Sequence, residues 1–199
     1  MNRISLVVFL GNYGDKYKNT RHNVAWQFCD SLSFADNLVW HEKFKGHYAL
    51  YEFDKYGEKQ QVWFLKPDTF MNLSGESIQP LAAFYKIKPE EILVVHDELE
   101  LPCGTVSLKW SGGLGGHNGL RSTKEKLGTA DFWRLRFGIG RPEHPDIAGY
   151  VLSDFTQDER IILSQIFPQT ASLLENIFKK GPESQLQDWK KKNLAAPVK

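Results

Sequence analysis

ILVVHD, residues 92–97, is the stretch that decides the fold. Its four apolar residues form a run of the length of a buried strand, and the chain turns polar at His96 and Asp97. SLVVFL, residues 5–10, has the same character and stops at Gly11 and Asn12. In α/β proteins, ligands bind at the carboxyl ends of such strands. The two stretches therefore predict a cleft that Asn12 and Asp97 help to form.

The rest of the chain alternates between strand and helix patterns. Strands are predicted at residues 47–53, 61–65, 105–110 and 134–139, and helices at residues 23–32, 77–85 and 117–127. A last helix begins at a capping box of Thr156 and Glu159, is kinked at Pro168 and ends at Gly181. The pattern predicts an α/β fold, in which helices cover both faces of a mixed, largely parallel twisted sheet. We expect one globular domain over residues 1–199, with a mobile cleft-covering segment near residues 142–155 and a C-terminal helix and tail.

Composition narrows the class of protein. The chain has 199 residues, 41% of them hydrophobic and 25% charged, as is typical of a soluble globular protein. A net charge of +1 gives no sign of nucleic-acid binding, so any basic surface must be local. Cys29 and Cys103 form no C-x-x-C pair, which fits a reducing cytoplasm. The apolar run after Arg3 is short for a signal peptide, and no stretch is long enough to span a membrane.

Four polar clusters carry the candidate chemistry. They are GNYG (residues 11–14) with TRHN (residues 20–23), FMNLSG (residues 70–75), HDE (residues 96–98) and GGLGGHNG (residues 112–119). His22 offers a base that titrates near neutral pH, and Asp97 a carboxylate that can fix the tautomer of that base. Both residues could instead have purely structural roles. His22 would then be a polar residue in the loop where a helix begins, and Asp97 would cap a helix or turn.

Asn12, Asn72 and Asn118 lie in glycine-containing loops. Turn chemistry would explain them, because asparagine tolerates left-handed backbone and caps helices. In one cleft they would instead bind peptide-like groups and a developing oxyanion. A G-x-S-x-G elbow and a phosphate loop are absent from the sequence. The combination predicts direct attack of water on an ester or amide within a large polar substrate.

A metal site is the alternative use of His22, His96, Asp97 and His117. The H-E-x-x-H spacing is absent, because His41 and Glu42 are followed by Lys45 where a second histidine would stand. We therefore predict a reaction without metal or other cofactor.

Basic residues gather in sequence around the glycine-rich cluster. They are Lys109, Arg121, Lys124, Arg134, Arg136 and Arg141. Arg134 and Arg136 would share one strand face, and Arg121 and Lys124 one helix face. A solvated surface is the usual role of such charges. The functional interpretation is a patch that binds backbone phosphates.

In their order along the chain, the four clusters resemble the bacterial-type peptidyl-tRNA hydrolase family. The match runs from the first predicted strand through Arg141 and continues more loosely to the tail. The resemblance implies a carboxylic ester hydrolase that releases a peptide, or an N-blocked amino acid, from the 3′-terminal ribose of tRNA. Such an enzyme recycles tRNA from aborted translation. The family fold is a monomeric α/β globule that needs no metal, and the expected partners are the acceptor stem and 3′ end of peptidyl-tRNA, with no membrane involved.

The resemblance also assigns roles to single residues. His22 corresponds to the catalytic base, Asp97 to its partner, and Asn12 to the residue that distinguishes blocked from free aminoacyl groups. Tyr17, Phe70, Asn72 and Asn118 match substrate-binding positions, and Met71 lines the same cleft. We add His117 as a candidate for substrate binding, and Lys109 and Arg136 as candidates for tRNA binding.

Two positions depart from the family pattern. Tyr13 replaces a frequent proline, which leaves Asn12 in place. Ser107 stands where a second lysine often accompanies Lys109, so one expected phosphate contact is missing.

Two other functions stay open at this level. One is a non-catalytic RNA-binding relative of the same fold, and the other is an amidohydrolase that acts on a small molecule in the same cleft. Retention of His22, Asp97 and the three asparagines favours the enzyme. The basic residues around the glycine-rich cluster favour a nucleic-acid substrate.

Overall fold

Eight strands run through residues 3–195, the part of the chain that the computed structural model describes. They are β1 (Leu6–Phe9), β2 (His41–Lys43), β3 (Gly46–Lys55), β4 (Glu58–Pro67), β5 (Ile92–Glu98), β6 (Thr105–Trp110), β7 (Trp133–Gly138) and β8 (Lys192–Asn193). They form one sheet in the order β2-β3-β4-β1-β5-β7-β6-β8. The central strands β4, β1, β5 and β7 are parallel, and antiparallel pairs flank them on both sides. The predicted mixed sheet is confirmed, with its parallel part at the centre.

Helices cover both faces of the sheet, as predicted. They are α1 (Val24–Ser31), α2 (Gly75–Phe84), α3 (Asn118–Leu127), α4 (Ile147–Val151) and α5 (Gln157–Lys180). Helices α1 and α5 share one hydrophobic core with Val7 and Phe9 of β1. Helices α2 and α3 share the other core with Leu6 and Val8. Because successive strand residues point to opposite faces, a strand between two cores must be apolar throughout, which is the pattern of β1 and β5.

The predicted elements are present, and their ends differ from the prediction by at most three residues. The main difference lies in β5, which continues to Glu98 and therefore includes His96 and Asp97. Its pairing with β7 persists there, with Asp97 opposite Phe137 and Glu98 opposite Gly138. Helix α4 and strand β2 were not predicted from the sequence. Pro168 lies inside α5, where a kink remains a prediction.

Close packing of α2 against α3 brings two of the polar clusters together. A Cβ atom on Gly75 would lie 2.2 Å from the carbonyl oxygen of Ser122, so only glycine allows this approach. The amide of Gly75 donates to Ser122 Oγ at 2.9 Å. At the start of α3, a Cβ on Gly119 would lie 2.5 Å from Met71 Sδ. The two glycines thus place the FMNLSG segment beside the start of α3.

Within residues 3–195, no helix has both the length and the apolar character needed to cross a bilayer. The chain after α5 returns to the sheet, where Lys192 and Asn193 pair with Val106 and Thr105 of β6.

Candidate active site

Asp97, near the carboxyl end of β5, joins two histidines from other parts of the chain. Its Oδ1 accepts a hydrogen bond from His117 Nε2 at 2.7 Å. His22 Nδ1 lies 3.0 and 2.9 Å from the two carboxylate oxygens. The carboxylate is only 3% exposed, so both contacts act where water screens little. The structure thus brings together His22, Asp97 and His117, all predicted as site residues.

The backbone at the start of α3 fixes the tautomer of His117. His117 is the N-cap of this helix, and its Nδ1 accepts from the amides of Gly119 at 3.1 Å and Leu120 at 3.4 Å. Since Nδ1 is an acceptor, the ring proton is on Nε2 and points to Asp97. The cap of α3 therefore depends on the tautomer of His117 that has its proton on Nε2.

His22 has the opposite arrangement. The short helical turn Arg21–Asn23 carries it into the cleft just before α1. Its Nδ1 donates to Asp97, which leaves Nε2 as the acceptor, without a bond to any other described residue. Burial of the ring opposes protonation, but the charge of Asp97 and its hydrogen bond prevail and raise the pKa of His22. His22 is therefore oriented to take a proton from a group in the cleft.

Burial alone would raise the pKa of Asp97, but its two imidazole partners outweigh this and hold it well below its ordinary range. Asp97 is thus ionised at neutral pH. His96, the preceding residue, contacts the Asp97 backbone carbonyl with Nδ1 at 2.7 Å and is 1% exposed. Burial and the neighbouring His117 lower the pKa of His96 well below its ordinary value. His96 is thus a neutral core residue rather than a member of the site.

His22, Asp97 and His117 also present three potential ligand atoms within 4.8 Å of one another. A cation there would have to displace the proton that His117 Nε2 donates to Asp97, while the backbone amides keep Nδ1 occupied. It would also displace the Nδ1 proton of His22. The arrangement is that of a hydrogen-bonded triad, and the absence of a metal from the reaction remains a prediction.

Asn12 is held so that its amide group can act as a donor. Its Oδ1 accepts from the Met71 amide at 2.7 Å, which assigns the oxygen and leaves Nδ2 at the cleft without a bond to a described residue. Asn23 fixes the backbone of Asn12 from both sides, accepting from its amide at 2.8 Å and donating to its carbonyl at 2.9 Å. The sequence interpretation missed this role of Asn23, although the TRHN cluster contains it.

A cleft of about 540 Å³ surrounds the triad. Its lining includes residues from all four clusters, and also Tyr17, which lies between the two parts of the first cluster. The predicted site residues among them are Asn12, Tyr17, His22, Phe70, Met71, Asn72, Asp97, His117 and Asn118. An apolar wall completes the lining and consists of Leu99, Ile147, Ala148, Val151 and Leu152. Four of these five residues lie within residues 142–155, where the sequence predicts a cleft-covering segment, but their helix was not predicted. Most of this wall comes from α4, which no periodicity marks in so short a helix.

Arg21 connects the residues that follow α4 with the turn that carries His22. It donates to Ser153 Oγ at 2.5 Å, to the Asp154 carbonyl at 2.8 Å and to Glu159 Oε2 at 2.7 Å. Its guanidinium also lies over the Tyr150 ring at 4.3 Å. The buried side chain of Arg21 therefore connects the turn that carries His22 with the apolar wall that α4 forms. Movement of residues 142–155 remains a prediction.

The basic residues divide into two groups. Arg134 is 2% exposed and donates to the carbonyls of Ser111 and Gly113, so it holds the glycine-rich loop. Its interpretation as a phosphate contact was wrong, because strand alternation predicts the face of a side chain and not its exposure. Arg141 forms an ion pair with Glu100.

Lys109 and Arg136 lie outside the lining of the cleft, farther along the same sheet. Partial burial and the charges of Arg134 and Arg136 lower the pKa of Lys109, which reflects a crowded cationic group. Arg136 donates to Ser107 Oγ at 2.7 Å and lies 3.5 Å from Glu98 Oε2. Their contact with tRNA remains a prediction.

Together, the fold and the triad indicate a hydrolase with an α/β fold. Residues 6–197 match the family model described as peptidyl-tRNA hydrolase. The peptidyl-tRNA hydrolase of Treponema pallidum (strain Nichols) is 48% identical over 196 residues, which are 96% of each chain. That of Desulfitobacterium hafniense (strain Y51) is 49% identical over 164 residues, 82% of this chain and 86% of the relative. The chain belongs to the peptidyl-tRNA hydrolase family, which confirms the sequence interpretation.

Comparison with solved structures leads to the same family. The crystal structure of peptidyl-tRNA hydrolase from Acinetobacter baumannii superposes with a TM-score of 0.86 at 33% identity, and the match covers 100% of this chain and 98% of that one. The predicted fold class and hydrolase activity are thus both confirmed.

The pH dependence of hydrolysis should report the raised pKa of His22. Only the neutral ring can accept a proton, so kcat/KM should fall as the pH drops through this pKa. The midpoint should lie above about 6.5, the ordinary histidine value. Asp97→Asn removes the charge that raises it and should move the midpoint to lower pH, with a lower plateau. The measurement is kcat/KM for N-acetylaminoacyl-tRNA against pH, with melting temperature as the control for folding. An unmoved midpoint would assign the acid limb to another group.

Proposed function

We propose that this chain hydrolyses the ester between a peptide, or an N-blocked amino acid, and the 3′-terminal ribose of tRNA, with His22 as the base. Water attacks the ester carbonyl carbon while His22 Nε2 takes its proton. The tetrahedral intermediate then breaks its bond to the ribose 3′ oxygen, which receives the proton. The products are a free peptide carboxylate and a tRNA with its 3′ hydroxyl. The observation that carries this proposal is the His22 contact with buried Asp97, which leaves Nε2 free at the cleft.

Asp97 and His117 act on the base rather than on the substrate in this scheme. The ionised carboxylate stabilises the imidazolium that forms during attack. Because His117 donates to the same carboxylate, it keeps Asp97 oriented without competing for the proton. This role differs from the substrate contact that we expect for His117 from the sequence, although the residue lines the cleft and can serve both.

The asparagine amides recognise the peptide. Asn12 Nδ2 donates to the carbonyl of the blocking amide next to the scissile ester, supported by the bond from Met71. Asn72 and Asn118 line the same cleft and offer further donors and acceptors. Phe70 is 58% exposed at the cleft and presents a ring face on which the terminal base can stack.

Lys109 and Arg136 bind phosphates of the acceptor stem. The net charge of +1 cannot hold a polyanion by itself, so binding depends on such a local group.

We further propose that the protein acts as a cytoplasmic monomer without metal or cofactor, and that residues 142–155 move over the cleft. In support, one chain supplies the whole triad.

A non-catalytic RNA-binding protein is the alternative. Such a protein would have no need for a base whose tautomer is fixed by a buried carboxylate, and the intact triad therefore favours the enzyme.

Replacing His22 by alanine should lower kcat by roughly 10²- to 10⁴-fold, the usual contribution of a general base. The assay is hydrolysis of N-acetylaminoacyl-tRNA, run in the presence of a chelator so that only metal-independent turnover is counted. His41→Ala is the matched control, since His41 is an exposed histidine on β2 that the mechanism does not use. Near-normal turnover by a folded His22→Ala protein would refute the assignment of the base.

Asn12→Asp should reduce the preference for N-blocked over free aminoacyl-tRNA by roughly tenfold, the value of one lost hydrogen bond. Aspartate keeps an oxygen that accepts from the Met71 amide but replaces the Nδ2 donor with a second acceptor. The measurement is kcat/KM for the two substrates, prepared on the same tRNA. If the ratio is unchanged in Asn12→Asp, selectivity does not depend on the Asn12 donor.

A further inference from the structure

The chain after α5 forms a tail segment, residues 189–195, that is fixed to the edge of the sheet. Trp189 is 8% exposed and belongs to the core beneath α5. Its carbonyl accepts from the Leu108 amide at 2.7 Å, and the Leu194 amide donates to the Gly104 carbonyl at 2.9 Å. Between these two bonds, β8 pairs with β6. The lysines at positions 190, 191 and 192 are exposed, and their backbone is held at both ends.

Ser107 connects the tail segment to Arg136. Its hydroxyl donates to the Lys190 carbonyl and accepts from Arg136 Nη2 at 2.7 Å. Ser107 is fully buried beneath these contacts. A small side chain at this position therefore lets the tail segment lie directly beside the residue that we assign to tRNA phosphates.

Lys192 of β8 and Lys191 before it lie differently against β6. Lys192 is opposite Val106, and its Nζ lies over the Trp189 ring at 4.5 Å, on the side of α5. Before β8 the pairing is irregular, because the Leu108 amide donates to the Trp189 carbonyl and the Ser107 hydroxyl donates to the Lys190 carbonyl. Two residues, Lys190 and Lys191, therefore lie opposite Ser107, as in a β-bulge. Ser107 shares its face of the sheet with Lys109 and with its cross-strand partner Arg136.

We propose that Lys191 is a third cation of the tRNA-binding surface, beside Lys109 and Arg136, and that it contacts a phosphate of the acceptor stem. This inference rests on the proposed function. Glu98 lies 3.5 Å from Arg136 and offsets part of its charge, whereas Lys191 forms no ion pair with a described residue. Residues on β7 and β8 are two strands apart, about 10 Å, so the cations act together at moderate ionic strength. The tail thus restores a positive charge to the part of the sheet where Ser107 contributes none.

The test compares Lys191→Ala with Lys192→Ala, which removes the same charge one residue away on the side of α5. Dissociation constants for deacylated tRNA are measured across several salt concentrations, with kcat/KM on full N-acetylaminoacyl-tRNA and on a short 3′-terminal fragment. Lys191→Ala should weaken tRNA binding roughly threefold to fivefold, as expected for an exposed ion pair. It should lower the salt slope by about one unit and the ratio of full-tRNA to fragment turnover. Lys191→Arg should restore binding, and Lys192→Ala should match the unaltered protein.

Equal effects of Lys191→Ala and Lys192→Ala, or an unchanged salt slope in Lys191→Ala, would overturn the inference. An equal loss on full tRNA and on the fragment would also overturn it, because that loss would place Lys191 in support of the cleft. Failure of the unaltered protein to hydrolyse N-acetylaminoacyl-tRNA would instead refute the proposed function. Melting temperatures of the variants show whether each one folds.

Discussion

One buried carboxylate holds this site together. Asp97 sits on the central sheet with 3% exposure, and a charge in that position is stable only with donors that satisfy it. The turn before α1 supplies one donor through His22, and the start of α3 supplies the other through His117. Loss of either imidazole would leave a buried ion short of a partner, which typically costs about 3–5 kcal/mol. The requirement for charge balance thus brings distant segments to one point and orients the base as it does so.

The remaining cluster residues keep this centre in register. Asn23 fixes the Asn12 backbone, and Asn12 in turn holds the Met71 amide. Gly119 leaves the space that Met71 Sδ occupies. Arg21 extends the same network to the α4 wall. Each cluster therefore combines a residue that faces the cleft with one that positions a neighbour, which explains why amides and glycines accompany the histidines.

The sequence indicated the parallel centre of the sheet and the members of the site, because buried strands are apolar throughout and their ends carry the polar residues. It did not indicate that His117 donates to Asp97 through Nε2, since this depends on the backbone amides that reach its Nδ1. The burial of Arg134 was missed because strand periodicity does not predict which residues cover a side chain. The pairing of β8 was also missed, since two residues carry no periodicity and their partner strand lies about 85 residues earlier.

The central claim is that Asp97 accepts one hydrogen bond from each imidazole. His22 donates through Nδ1 and His117 through Nε2, so the two rings are opposite tautomers. Nitrogen NMR of histidine-labelled protein measures this directly between about pH 5 and 9, the range in which histidines titrate. The account predicts that the neutral His117 ring carries its proton on Nε2. His22 should carry its proton on Nδ1 and titrate above the ordinary histidine pKa. A neutral His117 with its proton on Nδ1, or a neutral His22 with its proton on Nε2, would contradict the account.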